Sequence, residues 1–336
     1  MFGRTVTFLG LLTVGLVGGA SYAAAQDSAT ESSAAEDVLR AVVRIDAEIP
    51  SDARTANFLG TERSANGVVI DGNGLVLTIG YIILEAMSAT VTDADGKRVS
   101  AEILAYDYDT GFGLVRAMEP ISATPLRLGD SDAVTATDQV LVLAHGGPAA
   151  ALGAFVVVRD TFAGYWEYLL EKAIFTAPPH PEWAGAAMVG ADGRLLGIGS
   201  LFIEDTAPDS RTLPGNMFVP INLLKPILGD LLEGGRAAGE PRPWMGLFTR
   251  EMGDHVVVVS VIPEGPGATA GVTEGDIITK VSDQEVYDMA DLFRKVWALG
   301  DAGVEVPLTL QTDNGLRKVV VKSSDRYEYL HLDPTY

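Results

Sequence analysis

The chain has 336 residues, with 24 Lys+Arg against 45 Asp+Glu for a net charge of −21, and no cysteine. Phosphate and anionic lipid surfaces are bound by basic residues, so this balance argues against nucleic acid and against a charged membrane surface as partners. Without cysteine there are no disulfides, thiolate catalysis or Cys-ligated metals, and His145, His180, His255 and His331 lack the i,i+4 spacing of a helical zinc site, so no cofactor or metal is expected.

Taken in chain order, the sequence opens with Arg4, an apolar run from Thr5 to Gly19 and Ala23-Ala24-Ala25. A positive start, an apolar stretch and a small-residue ending predict a signal peptide over 1–25, for export to the periplasm or the exterior. The alternative is an uncleaved membrane anchor, because the uncharged stretch Thr5–Gln26 is just long enough to span. Residues 26–37 are small, polar and acidic and predict a flexible lead-in.

From Leu39 onward short β-type runs follow one another. Val68–Ile70 and Leu75–Leu77 flank Asp71-Gly72-Asn73-Gly74, whose Asp-Gly and Asn-Gly steps suit a tight hairpin turn. Ala89–Thr92 and Arg98–Leu104 flank Asp95-Gly96 in the same way. Gly113–Arg116, Gln139–Leu143, Phe155–Arg159 and Leu195–Ile198 continue the series, which predicts a sandwich or barrel. Over Asn222–Leu232 the apolar spacing becomes helical, ending at Glu233-Gly234-Gly235 as a glycine C-cap would. This first domain is placed at 38–235, and Arg236–Pro243 reads as a linker. A second domain, 244–325, carries a strand at Val256–Val261, a helix at Met289–Leu299, and a hairpin of Val304–Leu310 with Leu316–Val321; residues 326–336 are left as a tail.

Three segments carry a family resemblance. Gly67-Val68-Val69-Ile70-Asp71-Gly72-Asn73-Gly74-Leu75-Val76-Leu77-Thr78 is similar to G-V-I-I-D-x-x-G-x-I-L-T, and Met217-Phe218-Val219-Pro220-Ile221-Asn222-Leu223-Leu224-Lys225-Pro226 to F-A-I-P-x-N. Pro263–Ile278 is close to P-x-S-P-A-x-x-A-G-L-x-x-G-D-x-I, the pattern of a PDZ domain. In this order they resemble the HtrA/Deg family. The resemblance implies a mostly β chain: a trypsin-like double β-barrel followed by a PDZ domain.

The family's chemistry uses serine as nucleophile, histidine as base and aspartate to orient the imidazole. At the matching positions this sequence carries Tyr81 for the histidine, Gly111 for the aspartate and Ala184 for the serine. Glu182 and Ala186 replace two glycines of the turn whose backbone N–H groups form the family's oxyanion hole. Asp109, two residues before Gly111, reads as an exposed turn carboxylate, Ser200 as a strand hydroxyl, and His145 and His180 as surface or loop histidines. The resemblance therefore implies an inactive member of a serine endopeptidase family; the alternative is an active enzyme whose catalytic set lies elsewhere in the chain.

Trp244-Met245-Gly246-Leu247 resembles Y-L-G-I, the family's carboxylate-binding loop, and Leu292 and Val296 would line the apolar side of its groove. By resemblance the partners are peptides or unfolded chains, above all apolar C-terminal segments, bound as an added strand. A non-catalytic chaperone, adaptor or scaffold is implied. Other HtrA-type subunits are a further class of partner. The family trimerises through an N-terminal segment bearing aromatics; residues 27–37 have none, which leaves the oligomeric state open.

Overall fold

The turn-rich pattern folds, in a computed structural model describing residues 35–206, 212–312 and 315–330, into three antiparallel sheets. The first is a closed barrel of β1 (Val42–Glu48), β2 (Glu62–Val69), β3 (Leu75–Ile79), β4 (Ser88–Thr92), β5 (Arg98–Tyr106) and β6 (Phe112–Ala117), in the order β1-β2-β3-β6-β5-β4. The second closes β7 (Gln139–Leu143), β8 (Ala151–Gly164), β9 (Tyr168–Ala177), β10 (Ala187–Val189), β11 (Leu195–Ile203) and β12 (Gly215–Pro220) in the order β10-β11-β12-β9-β8-β7. Closure leaves no unpaired barrel edge.

Both predicted hairpins form. Val68 pairs with Leu77 and Val69 with Val76. Asp71 Oδ1 accepts the N–H groups of Asn73 and Leu75, both at 2.8 Å, the local bond that makes Asp a turn former. The second hairpin pairs Thr92 with Arg98, and Asp93 plays the matching role toward the N–H groups of Asp95 and Lys97.

The two barrels share one core, to which Leu77, Ile79 and Phe112 contribute from the first and Leu143, Tyr168 and Leu195 from the second. The third sheet has β13 (Leu247–Met252), β14 (His255–Val261), β15 (Ile277–Val281), β17 (Glu305–Thr312) and β18 (Gly315–Lys322) in the order β13-β14-β15-β17-β18, with β16 (Gln284–Glu285) against β15. Helix Met289–Trp297 covers it, burying Ala290, Leu292, Phe293 and Val296. Leu169, on a barrel strand, is buried in this third core rather than its own.

Three expectations change. The helix expected over 222–232 is a 3₁₀ turn at Ile221–Leu223 followed by an α-helix only at Leu228–Gly234. Pro226 explains the break, having no N–H to donate and restricting Lys225 before it. Within the segment read as flexible, residues 26–34 lie outside the described residues, as does the signal segment, while residues 35–40 are helical. Val38 and Leu39 anchor that turn by packing on the barrel core. The segment read as a tail begins with a helix, Arg326–Tyr329, whose first turn is capped by Asp325 through the Tyr327 N–H; 331–336 lie outside the described residues.

Candidate functional site

Two places carry the residues singled out by sequence. The first is the seam between the barrels. Tyr81 stands in the turn that ends β3, and its hydroxyl donates across the seam to the Ser200 carbonyl at 2.8 Å. Burial pushes the phenol far above its usual range, so it stays protonated. Gly111 has φ of +81°, and a Cβ built there would lie 3.1 Å from the Tyr168 hydroxyl. That hydroxyl donates to the Thr110 carbonyl at 2.6 Å. A carboxylate at Gly111 would thus meet both left-handed backbone and an occupied neighbour.

The loop around Ala184 turns two backbone carbonyls toward Asn66. The carbonyls of Glu182 and Ala184 accept from the Asn66 side chain at 2.9 and 3.0 Å, and Ala184 also accepts from the Asn66 N–H at 2.9 Å. Gly185, at φ +70°, presses so close that an added Cβ would sit 1.8 Å from the Asn66 carbonyl oxygen. The N–H of Gly185 donates to Gly199 and that of Ala186 to Trp183. The Glu182 N–H donates to His180 Nδ1 at 3.0 Å. His180 is buried, its own N–H bonded to Asn216 Oδ1 at 2.6 Å and its Nε2 3.2 Å from the Ala150 carbonyl. With Nδ1 accepting from the Glu182 N–H, Nε2 is the ring nitrogen placed to donate to the Ala150 carbonyl. His180 is therefore a buttress of the loop rather than a surface histidine.

His145 takes part through its N–H to Asn66 Oδ1 at 2.7 Å and through Nε2, 3.1 Å from the Asp93 carbonyl. It lines a cleft of about 390 Å³ with Asn66, Glu182 and Ala184. Asp109 turns away from the seam to Arg242 of the linker at 3.2 Å. Burial raises its carboxyl to about 6, with Arg242 opposing the rise.

The second place is the loop before β13. Its residues Trp244, Met245 and Leu247 are all buried. Gly246 has φ of +72°, which turns the backbone so that the N–H groups on either side converge. Met245 N–H lies 3.0 Å from Glu167 Oε2 and Leu247 N–H 2.9 Å from Glu167 Oε1. Trp244 takes no part in this convergence. Its N–H donates to the Ser324 carbonyl at 3.1 Å, and its ring lies 5.0 Å from that of Tyr329. Leu292 and Val296 are wholly buried, in the cluster that also holds Met245, Leu247 and Leu169.

Glu167 is not singled out by any sequence pattern. It is 2% exposed, 78 residues before Met245, and ends the three-residue tip between Gly164 and Tyr168. Burial raises its carboxyl to about 7, with the backbone donors of Leu247, Met245 and Gly246 pulling the other way. The only sequence signal is an acid set among aromatics, Tyr165-Trp166-Glu167-Tyr168.

Residues 65–198 match the trypsin-like peptidase domain and residues 243–322 the PDZ domain. Among curated relatives, the chain is 23% identical to the periplasmic serine endoprotease DegP of Escherichia coli strain K12, over 74% of this chain and 54% of DegP. It is 28% identical to a probable periplasmic serine protease, do/HhoA-like, of Haemophilus influenzae, over 79% of this chain and 58% of that protein. The chain spans about half the length of these relatives. Among solved structures, the HtrA-type protease AlgW with decapeptide is similar at a TM-score of 0.52 and 18% identity, covering 87% of this chain and 98% of AlgW. The serine endoprotease from Yersinia pestis is similar at 0.51 and 20%, covering 87% and 97%.

Proposed function

This chain belongs to the HtrA family, and from that premise we propose that it is an exported, non-catalytic member that binds peptides through its PDZ domain, as an adaptor, chaperone or scaffold. The family is one of serine endopeptidases. The observation that carries the non-catalytic reading is the state of the Ala184 loop. No hydroxyl nucleophile stands at Ala184 and no base at Tyr81, and the Glu182 N–H that would face an oxyanion is bonded to His180. A donor held internally stabilises no developing charge.

Export follows from the predicted leader and from the periplasmic relatives; among the described residues no helix is long and apolar enough to cross a membrane. We place the barrel domain at 38–235 and the PDZ domain at 244–325, joined by 236–243. Peptide binding rests on the PDZ match, on the convergent donors at Met245 and Leu247, and on a structural neighbour that holds a decapeptide.

The test is hydrolysis. Incubated with unfolded casein, the purified chain is expected to release no fragments, and a fluorophosphonate probe to label no residue. Turnover blocked by a serine-directed inhibitor would establish the alternative, an active endopeptidase with its catalytic set elsewhere.

A further inference from the structure

The groove of the PDZ domain is already filled, and by the chain itself. Glu167 brings a carboxylate to the convergent donors of Met245 and Leu247, at 3.0 and 2.9 Å. Leu169, two residues on, is buried among Leu247, Leu292 and Val296. Tyr165, two residues before, accepts the N–H of Thr249 through its carbonyl at 2.9 Å. Thr249 lies on β13, an edge strand of its sheet, where an incoming peptide would add. Carboxylate on the loop, backbone on the strand edge and apolar side chain beside the helix are the three contacts such a groove offers a peptide end. All three are made by one hairpin, through its tip and the start of β9.

The tip is fixed on its other side as well. The Tyr108 hydroxyl bonds the carbonyls of Trp166 and Glu167, the latter at 2.7 Å. Arg326 donates to the Trp166 carbonyl at 3.0 Å. Arg294 of the helix grips Glu171 at 2.9 and 2.6 Å. Glu167 itself holds a left-handed φ of +58°, a conformation that a non-glycine residue keeps only when its surroundings require it.

We propose that residues 165–171 are a built-in occupant of the peptide groove, with Glu167 standing in for a C-terminal carboxylate and Leu169 for an apolar side chain. An external peptide with a free carboxylate and an apolar last residue enters only when this tip leaves. The inference rests on reading Trp244–Leu247 as the peptide-binding loop, and it adds that the loop's resting ligand is Glu167.

The test uses the full chain and a fluorescein-labelled decapeptide ending in Val-Leu, as free acid and as C-terminal amide. Binding is read by anisotropy, and exchange of the Met245, Leu247 and Thr249 amides by hydrogen–deuterium exchange. Glu167→Ala is expected to tighten binding of the free acid at least tenfold, to leave the amide unchanged, and to speed exchange at the three amides. Glu167→Gln, which keeps the size and an acceptor oxygen, shifts all readouts the same way by less and carries the test should the alanine variant not fold. Free-acid affinity equal in wild type and both variants overturns the built-in occupant while leaving the loop a receptor. Faster exchange with no binding of the free acid at millimolar concentration overturns the receptor reading, and the inference with it.

Discussion

The barrel seam and the PDZ loop both gather backbone N–H groups, and they differ in what those groups hold. At the seam, Glu182 N–H is bonded to His180, two residues away, and Gly185 and Ala186 N–H to carbonyls of their own surroundings. At the PDZ loop, Met245 and Leu247 N–H are bonded to a carboxylate on a separate domain, 78 residues from Met245. A donor closed onto its own loop is part of the fold, and freeing it means breaking that loop. A donor closed onto another domain can exchange its partner without local unfolding. The same chemical group is thereby structural in one place and available for recognition in the other.

The largest effect follows from the seam. Grafting Tyr81→His, Gly111→Asp and Ala184→Ser together restores the three side chains but not the donor array. Loss of a triad lowers turnover roughly a million-fold, and a misbuilt oxyanion site keeps most of that loss in place. The triple variant is therefore expected to show no casein hydrolysis above background. Turnover within about a hundredfold of an active relative would mean that the loop reorganises freely, and the comparison between the two regions would fail.

The next effect tests whether Leu169 belongs to the PDZ core. Leu169→Ala removes a buried side chain from the cluster holding Leu247, Leu292 and Val296. Buried Leu→Ala changes cost about 2–5 kcal/mol, and this one falls on the contact between domains. Limited proteolysis in the 236–243 linker should accelerate markedly, with the thermal transition of the barrels shifting little. An unchanged cleavage rate would place Leu169 outside the docking contact.

How much of this is legible in the sequence divides along the same line. Hairpins around Asp71 and Asp93 are readable because turn formation is local: each aspartate bonds N–H groups two to four residues ahead. The PDZ pattern over Pro263–Ile278 is readable because it is contiguous. The helix expected over 222–232 is too long because apolar periodicity outweighs Pro226 in such a reading. Tyr81, Gly111 and Ala184 are assigned to the triad positions by resemblance, from local motif spacing, whereas the bond from Glu182 to His180 has no such signal, since no spacing rule states where a loop N–H will turn. Glu167 is out of reach, because its partners lie on another domain and only the packing of whole domains brings them together.

A smaller effect is set by pH. Glu167 has its carboxyl raised from 4.5 to about 7 when docked, so the docked state holds a proton that the released state gives up. The sign follows: docking is favoured fully below pH 4.5, weakens as pH climbs toward 7, and changes no further above it. Free-acid peptide should bind more tightly at pH 7.5 than at pH 5.5, on the order of tenfold, because its own carboxylate is ionised throughout. Asp107, Asp109, Arg236, Arg242, Asp325 and Arg326 line the same cavity, and Asp109 is raised to about 6. Glu167→Gln keeps all of these, so the slope should flatten in that variant; an equal slope in both would assign it to the neighbours.

The smallest effect concerns the pair of Arg294 and Glu171. Its geometry is favourable, two parallel bonds at 2.9 and 2.6 Å, yet the side chains are 46% and 57% exposed. Exposed pairs contribute about 0–1 kcal/mol, since water competes for both charges and salt screens them. Arg294→Ala should then loosen the hairpin only slightly, tightening free-acid peptide binding by less than about fivefold. Raising the salt from about 50 to about 500 mM should bring wild type toward the variant, because the same attraction is being removed by screening. The buried contacts at Glu167 and Leu169 are insensitive to both treatments, so most of the barrier to an external peptide should survive them. A gain of roughly twentyfold or more from Arg294→Ala, well beyond what an exposed pair supplies, would show that the ion pair, and not the carboxylate on the loop, is what keeps the groove closed.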